Sequence, residues 1–342
     1  MFAAPLRLRR DAGALVANWR ALARLSGTAA CGAAIKADGY GLGAAWVGET
    51  LATAGCRDFF VATWGEAAAL ATLALPRLAV FHGVREEDME LALSGVAMPV
   101  LNTAMQASRW RNAGGGACHV MLDTGMNRLG LDEGDLAAGA LDGLAIDTLM
   151  SHLASADDDG PQNCDQRGRF VAMAEKIAAR RLSLANSAGI ALGPDYAFDL
   201  TRPGLALYGG VPRPELAGTI VQVARPEAQV LQRRTVRAGE AVGYNATWTA
   251  PADTEVAILN YGYADGYFRG FSERGAALLD DAVLPLLGRV SMDLIAIDVT
   301  GHDVAEGDWL TIDFDLPRAA AQSGISQYEL LTGLGKRFER IG

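Results

Sequence analysis

FFVATWGEAAALATLALPRLAVFHG, residues 59–83, places two short apolar runs on either side of an alanine- and leucine-rich segment. Neither FFVAT nor RLAVFHG alternates polar with apolar residues, a pattern typical of parallel strands that are covered on both faces. A parallel connection needs a crossover, and the segment between the runs has the composition of a helix. Residues 59–83 therefore predict one strand–helix–strand unit.

The same alternation of apolar runs and helical stretches extends in both directions along the chain. We predict eight strands, at residues 31–37, 59–63, 78–83, 97–101, 118–123, 147–153, 181–187 and 199–208. The helices predicted between them include Ala44–Ala54, Glu66–Leu73, Glu87–Ser94, Thr103–Asn112 and Arg167–Ala179. Eight such units favour the α/β class and a (β/α)8 TIM-type barrel, with an open doubly wound sheet as the alternative.

The pattern changes after Gly210 to β-branched runs with little helical periodicity before the C-terminal residues. Turns are expected at Ala238-Gly239 and Thr300-Gly301. We therefore predict a barrel domain at residues 1–222 and a β-rich domain at residues 223–342.

Composition narrows the class of function. Half of the 342 residues are apolar, which excludes a disordered or fibrous chain, and the net charge of -10 offers no basic surface for nucleic acid or anionic lipid. No apolar run approaches the ~20 residues of a membrane span, and no secretory apolar region follows the N-terminal arginines. The four cysteines form no CxxC pair, so reduced thiols and no metal site are expected. These features predict a cytoplasmic enzyme that acts on a small molecule.

Polar residues collect at the predicted strand ends, where barrel enzymes carry their active sites. They are Lys36 on strand one, Asp123 and Arg128 on strand five, His152 on strand six, Asn186 and Ser187 on strand seven, and Arg202 and Gly204 on strand eight.

Each of these residues also has a purely structural interpretation. Lys36 is either a desolvated amine able to form a Schiff base or a surface lysine with a buried stem. Asn186 and Ser187 either anchor a phosphate or cap the next helix. Arg202 needs an acceptor, which is either a carboxylate in an ion pair or a ligand atom.

Eight segments, in their order and spacing, resemble the alanine racemase family along nearly the whole chain. They are AAIKADGYGLG (33–43), LDTGMNRLG (122–130), SHLASAD (151–157), ANSAG (185–189), RPGLALYG (202–209), VGYNATW (242–248), GYADGY (262–267) and GRVSMD (288–293).

The resemblance implies a pyridoxal 5′-phosphate (PLP) enzyme in which Lys36 holds the cofactor as a Schiff base. The phosphate would contact Tyr40, Ser187, Gly204 and Leu205, and the ring would lie between His152 and Asn186 and face Arg202. Because arginine donates a hydrogen bond without giving up its proton, the pyridine nitrogen would stay unprotonated. A weaker electron sink of this kind favours prompt reprotonation, and so racemisation over transamination.

The resemblance also implies two bases, Lys36 and Tyr244, on opposite faces of the substrate Cα, for the interconversion of L- and D-alanine. Tyr244, Tyr263 and Met292 would come from a second subunit, so the partner is another copy of the chain in a head-to-tail homodimer with shared sites. Arg128 and Met292 would bind the substrate carboxylate. Without the resemblance, Tyr244 is a strand residue, and Arg128 forms a salt bridge with Asp123 or Glu133.

Two positions depart from the family pattern. Met121 stands where many members carry a lysine that can be carbamylated to hold the carboxylate-binding arginine, and Lys336 stands where some carry a phosphate-binding tyrosine. Asn245, where glycine is frequent, leaves the choice between alanine, serine and longer substrates open.

Two rival functions remain at this point. A PLP-binding protein of the same barrel type typically lacks a β domain. A related decarboxylase typically pairs the ring nitrogen with a carboxylate and supplies a cysteine from its β domain. The D-alanine made or consumed by a racemase would serve either cell-wall biosynthesis or catabolism.

Overall fold

Strands and helices alternate in the first two thirds of the chain, and antiparallel strands predominate after them. The computed structural model describes residues 4–342. The strands are β1 (Leu6–Arg10), β2 (Ala30–Cys31), β3 (Ala33–Ala34), β4 (Phe59–Val61), β5 (Leu78–Val80), β6 (Met98–Leu101), β7 (Cys118–Met121), β8 (Ile146–Met150), β9 (Ala179–Ser183), β10 (Leu200–Thr201), β11 (Ala224–Val236), β12 (Ala241–Val242), β13 (Trp248–Thr249), β14 (Thr254–Leu259), β15 (Ala276–Leu279), β16 (Ala282–Leu287), β17 (Ile295–Asp298), β18 (Trp309–Ile312) and β19 (Glu339–Ile341). The helices are α1 (Ala12–Leu25), α2 (Lys36–Tyr40), α3 (Ala44–Ala54), α4 (Trp64–Ala69), α5 (Met89–Leu93), α6 (Ala104–Asn112), α7 (Glu133–Ala137), α8 (Gln162–Ala174), α9 (Ser187–Ala191), α10 (Leu316–Ser323) and α11 (Gln327–Thr332).

Leu15–Val221 form one compact unit, built on a curled parallel sheet. Strands β3 to β9 lie side by side in chain order, without the reversal of order that marks a doubly wound sheet. β10 pairs in parallel with β2, and it reaches β9 through hydrogen bonds from Asp199 N to Leu182 O (3.0 Å) and from Arg202 N to Ala185 O (2.8 Å). The predicted barrel-type α/β fold is confirmed, and the doubly wound alternative is wrong.

The core of this unit contains one inward side chain from each of several successive strands. The set is Phe60, Ala79, Val100, Met121, Met150 and Leu200. Because parallel strands of a barrel all point the same way, their carboxyl ends meet on one face above this layer. That face is where the candidate residues collect.

Several predicted elements have different bounds in the structure. The predicted strand 31–37 ends at Ala34, before Lys36, and the predicted strand 181–187 ends at Ser183, before α9. The predicted helices Glu66–Leu73 and Glu87–Ser94 are α4 and α5, with the bounds given above. The predicted strand 199–208 ends at Thr201, because Pro203 has no N–H for the ladder and Leu205–Tyr208 turns into a 3-10 helix. The predicted helix Arg167–Ala179 is wrong at both ends. It starts at Gln162, directly after Pro161, and Ala179 already belongs to β9.

Gln222–Gly342, together with residues 4–14, form a second, mostly β unit. β1 pairs antiparallel with β11, which also pairs with β14 and β18, so the sheet closes on itself. The expected turns are present, with φ of 84° at Gly239 and 79° at Gly301. β1, with the basic sequence LRLRR, was not predicted from the sequence.

The predicted boundary between the two domains, at residues 222 and 223, stays a prediction.

Cys31, Cys56, Cys118 and Cys164 are free thiols. Among the described residues, no helix is both long and apolar enough to cross a membrane.

Candidate active site

Lys36 follows β3 and begins α2, a short turn with left-handed backbone conformation. Ala37, Asp38 and Tyr40 have φ of 52°, 53° and 55°, in the left-handed region that side chains with a Cβ rarely adopt. Each such residue costs about 1–2 kcal/mol relative to the right-handed form. The turn that carries Lys36 is therefore strained and must be held by its surroundings.

Glu66, in the first turn of α4, holds part of this turn. Its Oε1 accepts the N–H of Ala37 at 2.6 Å, and its Oε2 accepts the N–H groups of Ala62 (2.7 Å) and Thr63 (3.1 Å). Thr63 Oγ1 accepts the N–H of Glu66 at 3.2 Å, which completes a capping box. One carboxylate thus connects the end of β4 with the turn after β3.

The amine of Lys36 is half-buried and lies 6.0 Å from the centre of the Phe81 ring. Burial lowers the pKa of Lys36, the positive charge of Arg128 lowers it further, and the negative charge of Glu66 raises it. Burial and a cationic neighbour therefore favour the neutral amine, which is the nucleophilic form.

His152 follows β8 on the same face. Burial lowers its pKa to about 3, and the charges of Arg202, Arg128 and Lys36 act in the same direction. The imidazole is therefore neutral at pH 7, so His152 can pack against an aromatic ring without adding a charge.

Arg202 is only 4% exposed and lies directly after β10. Its guanidinium donates to Ser151 O (2.6 Å), Leu184 O (3.4 Å) and the hydroxyl of Ser183. No carboxylate in the described part of the chain pairs with it, so the ion-pair interpretation of Arg202 is wrong. Burial lowers its pKa to about 10, which still leaves it protonated at neutral pH.

Ser187, Gly204 and Tyr40 lie close together. The hydroxyl of Ser187 accepts the N–H groups of Gly204 (2.9 Å) and Ala206 (3.1 Å). A Cβ at Gly204 would lie 2.2 Å from Tyr40 Oη, so only glycine allows this approach. Leu205 is buried beside them.

Asn186 has the structural role that the sequence left open. Its side chain accepts the N–H of Gly189 at 2.9 Å and caps α9. Helix capping is therefore confirmed for Asn186, whereas the Ser187 hydroxyl turns to the Gly204 loop.

Lys36, His152 and Arg202 line one cavity of about 310 Å³ at the carboxyl ends of the strands, whereas Tyr40, Asn186, Ser187, Gly204 and Leu205 are not part of its lining. The lining includes Lys36, Phe81, His82, Met121, Asp123, Met126, Arg128, His152 and Arg202. Asp123 Oδ1 accepts the backbone N–H groups of Gly125 (2.9 Å) and Asn127 (3.1 Å), and within residues 4–342 no ion pair joins Arg128 to Asp123 or Glu133. The salt-bridge interpretation of Arg128 is wrong, and its guanidinium remains exposed at the cavity.

Three predicted site residues belong to the β unit. Tyr244 and Met292 are exposed, at 65% and 53%, and Tyr263 is half-buried. Tyr263 N donates to Ser291 O and Ala264 N donates to Met292 O, both at 3.0 Å, so the segments of Tyr263 and Met292 lie side by side. Tyr244 lines a separate cleft of about 790 Å³ in this unit, together with Arg234 and Arg289.

Both parts of the chain match models of one family. Residues 11–212 match the N-terminal domain of alanine racemase, and residues 223–342 match its C-terminal domain. The alanine racemase of Acidiphilium cryptum is 43% identical over 97% of each chain, and that of Rhodospirillum rubrum is 41% identical over 96% of this chain and 94% of its own. The chain belongs to the alanine racemase family.

Solved alanine racemases share the fold. The crystal structure from Bartonella henselae, which has covalently bound pyridoxal phosphate, is 34% identical, with a TM-score of 0.91 over 99% of both chains. The biosynthetic alanine racemase of Pseudomonas aeruginosa is 30% identical, with a TM-score of 0.89 over 99% of both chains.

Some residues of the candidate site were not predicted from the sequence. Phe81, His82 and Met126 line the cavity, and Glu66 holds the Lys36 turn. Phe81 and His82 end a predicted strand, so the strand-end rule that found Lys36 could have found them. The TWGE motif at residues 63–66 predicts a capping box, but it carries no signal for the bond to Ala37.

Proposed function

We propose that this chain racemises alanine with PLP bound through Lys36, using Lys36 and Tyr244 as bases on opposite faces of the substrate Cα. The observation that carries the proposal is that Lys36 and Arg202 line the same cavity. Burial and the charge of Arg128 lower the pKa of Lys36. Arg202 is buried, donates to the carbonyl of Ser151 and pairs with no carboxylate in the described part of the chain. The alanine racemase family is PLP-dependent, which agrees with this donor set.

The residues of the cavity fit PLP. Lys36 offers a nucleophilic amine, and the cations Arg128 and Arg202 suit an anionic ligand. The contact between Gly204 and Tyr40 Oη allows no side chain at residue 204, which suits a loop that approaches a phosphate closely. Tyr40, Ser187, Gly204 and Leu205 would hold the phosphate, and His152 and Asn186 would flank the ring.

When bound, PLP supplies an aldehyde carbon for amines and a ring that stabilises negative charge at the substrate Cα. Lys36 would hold it covalently and, when free, take or return the Cα proton on one face. Arg202, held by the carbonyl of Ser151, would donate a hydrogen bond to the ring nitrogen and keep its own proton. Neutral His152 would add no competing charge.

Tyr244 would take or return the proton on the other face from a second copy of the chain. Its exposure of 65% suits a side chain that completes a site on a partner, and Arg289 lines the same cleft. Each site would then need both chains of a head-to-tail homodimer.

The substrate carboxylate would bind between Arg128 and the backbone of Met292, and Tyr263 would narrow the entrance. The exposed guanidinium of Arg128, which forms no ion pair within residues 4–342, supports this role. Met121 cannot supply the negative charge of a carbamylated lysine, so the ligand itself would orient Arg128. In a cytoplasmic enzyme of this kind the product or substrate is D-alanine, made for the cell wall or consumed.

The deciding experiment incubates the PLP-loaded protein with L-alanine in D2O and follows chirality and α-deuterium together. Deuterated D-alanine is the expected product. Cofactor binding without exchange, tested also with serine, lysine and arginine, would refute racemisation. Borohydride reduction and peptide mapping then assign the lysine, because Lys36, Lys176 and Lys336 are the only three in the chain.

A further inference from the structure

Glu66 makes more contacts than its capping role needs. In a capping box, the carboxylate accepts N–H groups at the start of its own helix, as Ser326 and Glu329 do for α11. Glu66 does this for α4 with Oε2 and then uses Oε1 for Ala37 N, 29 residues away in sequence and 2.6 Å away in space.

The residue that receives this bond is adjacent to Lys36. Ala37 begins the left-handed run, in which three residues with side chains resist their conformation. Asp38 secures the far end of the run, because its Oδ1 accepts Ala44 N at 2.9 Å. Glu66 secures the near end, next to the Cα of Lys36, and so limits the directions in which the lysine can point.

The charges around Lys36 are mostly positive. The titratable groups that line its cavity are His82, Asp123, Arg128, His152 and Arg202. Asp123 turns to backbone amides, and burial together with the surrounding cations keeps His152 neutral. Glu66 is the carboxylate whose charge raises the pKa of Lys36, against Arg128.

We propose that Glu66 is a positioning residue for Lys36, which ties the left-handed turn to the end of β4 and provides the negative charge opposite the amine. The inference rests on the proposed function, because it assigns Glu66 a role only if Lys36 acts on the substrate. Glu66 is not among the residues that line the cavity, and it acts through the backbone of Ala37.

The experiment compares Glu66→Gln and Glu66→Asp in the full-length chain. Gln loses the charge and cannot accept on both sides. Asp keeps the charge and can still cap its helix, as Asp135 does at the same position of α7, but it is one methylene too short to reach Ala37 as well. Glu329→Gln makes the same change in a capping box that serves only its own helix.

Two readouts separate positioning from stability. The first is the pH midpoint of Lys36 acetylation after PLP is removed, measured by mass spectrometry with the Lys176 peptide as reference. Glu66→Gln is expected to lower this midpoint relative to Glu329→Gln, because an opposite charge is lost, and Glu66→Asp should lower it less. The second is turnover with the holoenzyme, where both Glu66 variants are expected to lower kcat about 10- to 100-fold with little change in KM.

The melting temperature of each variant shows how much of any effect is loss of the cap. The proposal is overturned if Glu66→Gln leaves the Lys36 midpoint and kcat at the values of Glu329→Gln, or if Glu66→Asp retains wild-type kcat. Failure of the proposed function looks different. In that case the wild-type protein itself shows no racemisation, or reduction attaches PLP to Lys176 or Lys336.

Discussion

Gly204→Ala tests how closely the loop after β10 approaches Tyr40. A Cβ at this position would lie 2.2 Å from Tyr40 Oη and 2.9 Å from Cζ, so the hydroxyl would have to retreat by about 1.2 Å to reach ordinary contact. Tyr40 cannot easily do so, because it is buried and its ring stacks on that of Tyr208 at 4.6 Å.

The expected magnitude follows from the cost of overpacking. One extra methyl in a well-packed site typically costs about 1–3 kcal/mol. If Tyr40 and Gly204 both hold the phosphate, that strain appears in cofactor binding and raises the Kd for PLP about 10- to 100-fold. The change is measured by titrating the cofactor-free chain with PLP and following bound cofactor by absorbance.

A double-mutant cycle identifies the clash as the cause. Tyr40→Phe removes the hydroxyl, and with it a proposed phosphate contact, so it weakens binding alone. Combined with Gly204→Ala, it also removes the 2.2 Å contact, so the double variant should bind PLP better than the sum of the two single losses predicts. Gly168→Ala, in open space on α8, is the matched control and should leave Kd unchanged.

Two results would refute this reasoning. Wild-type affinity in Gly204→Ala would show that the loop does not hold the cofactor. If the losses of PLP-binding free energy in the two single variants add up fully in the double variant, the added methyl does not clash with the Tyr40 hydroxyl.

Three further predictions concern the pKa of His152, the effect of His119 on stability in acid, and the enantiomer on which Tyr244 acts. Arg202→Met is expected to raise the pKa of His152, since Arg202 is the foremost charge that lowers it; NMR titration of the four histidines checks this, and an unchanged value contradicts it. Burial lowers the folded-state pKa of His119, so unfolding binds a proton and stability declines as pH falls below about 6.5. His119→Leu should reduce this decline in acid denaturation curves, whereas an identical pH slope would show that Asp147 and other groups account for it. Tyr244→Phe should keep PLP bound and slow α-deuterium exchange from one enantiomer of alanine far more than from the other; equal slowing would contradict the two-base scheme.

The sequence predicted the location of the candidate site, but not the backbone conformations and contacts that position its residues. Lys36, His152 and Arg202 were found because parallel strands place their carboxyl ends on one face, so position along the chain was enough. The left-handed turn could not be found in this way. Gly39, Gly41 and Gly43 indicated a bend, but Ala37, Asp38 and Tyr40 adopt positive φ against their own preference.

The other features that the sequence did not predict depend on contacts within a loop or between segments that are far apart in the chain. Arg128 has acidic neighbours in sequence, yet Asp123 is engaged by the amides of its own loop. Glu66 reaches Ala37 only because β3 and β4 are adjacent in the sheet. β1 joins the β unit through a partner more than 200 residues later, which local periodicity cannot reveal.

The charges around the cavity affect the proton affinity of Lys36 and therefore its two proposed roles, as nucleophile and as base. Without a ligand, burial and the charge of Arg128 favour the neutral form of Lys36. An anionic substrate that paired with Arg128 would cancel part of that repulsion and so raise the proton affinity of Lys36. The free Lys36 amine would then be a better nucleophile toward PLP in the empty cavity, and a stronger base once the substrate has displaced it from PLP and paired with Arg128.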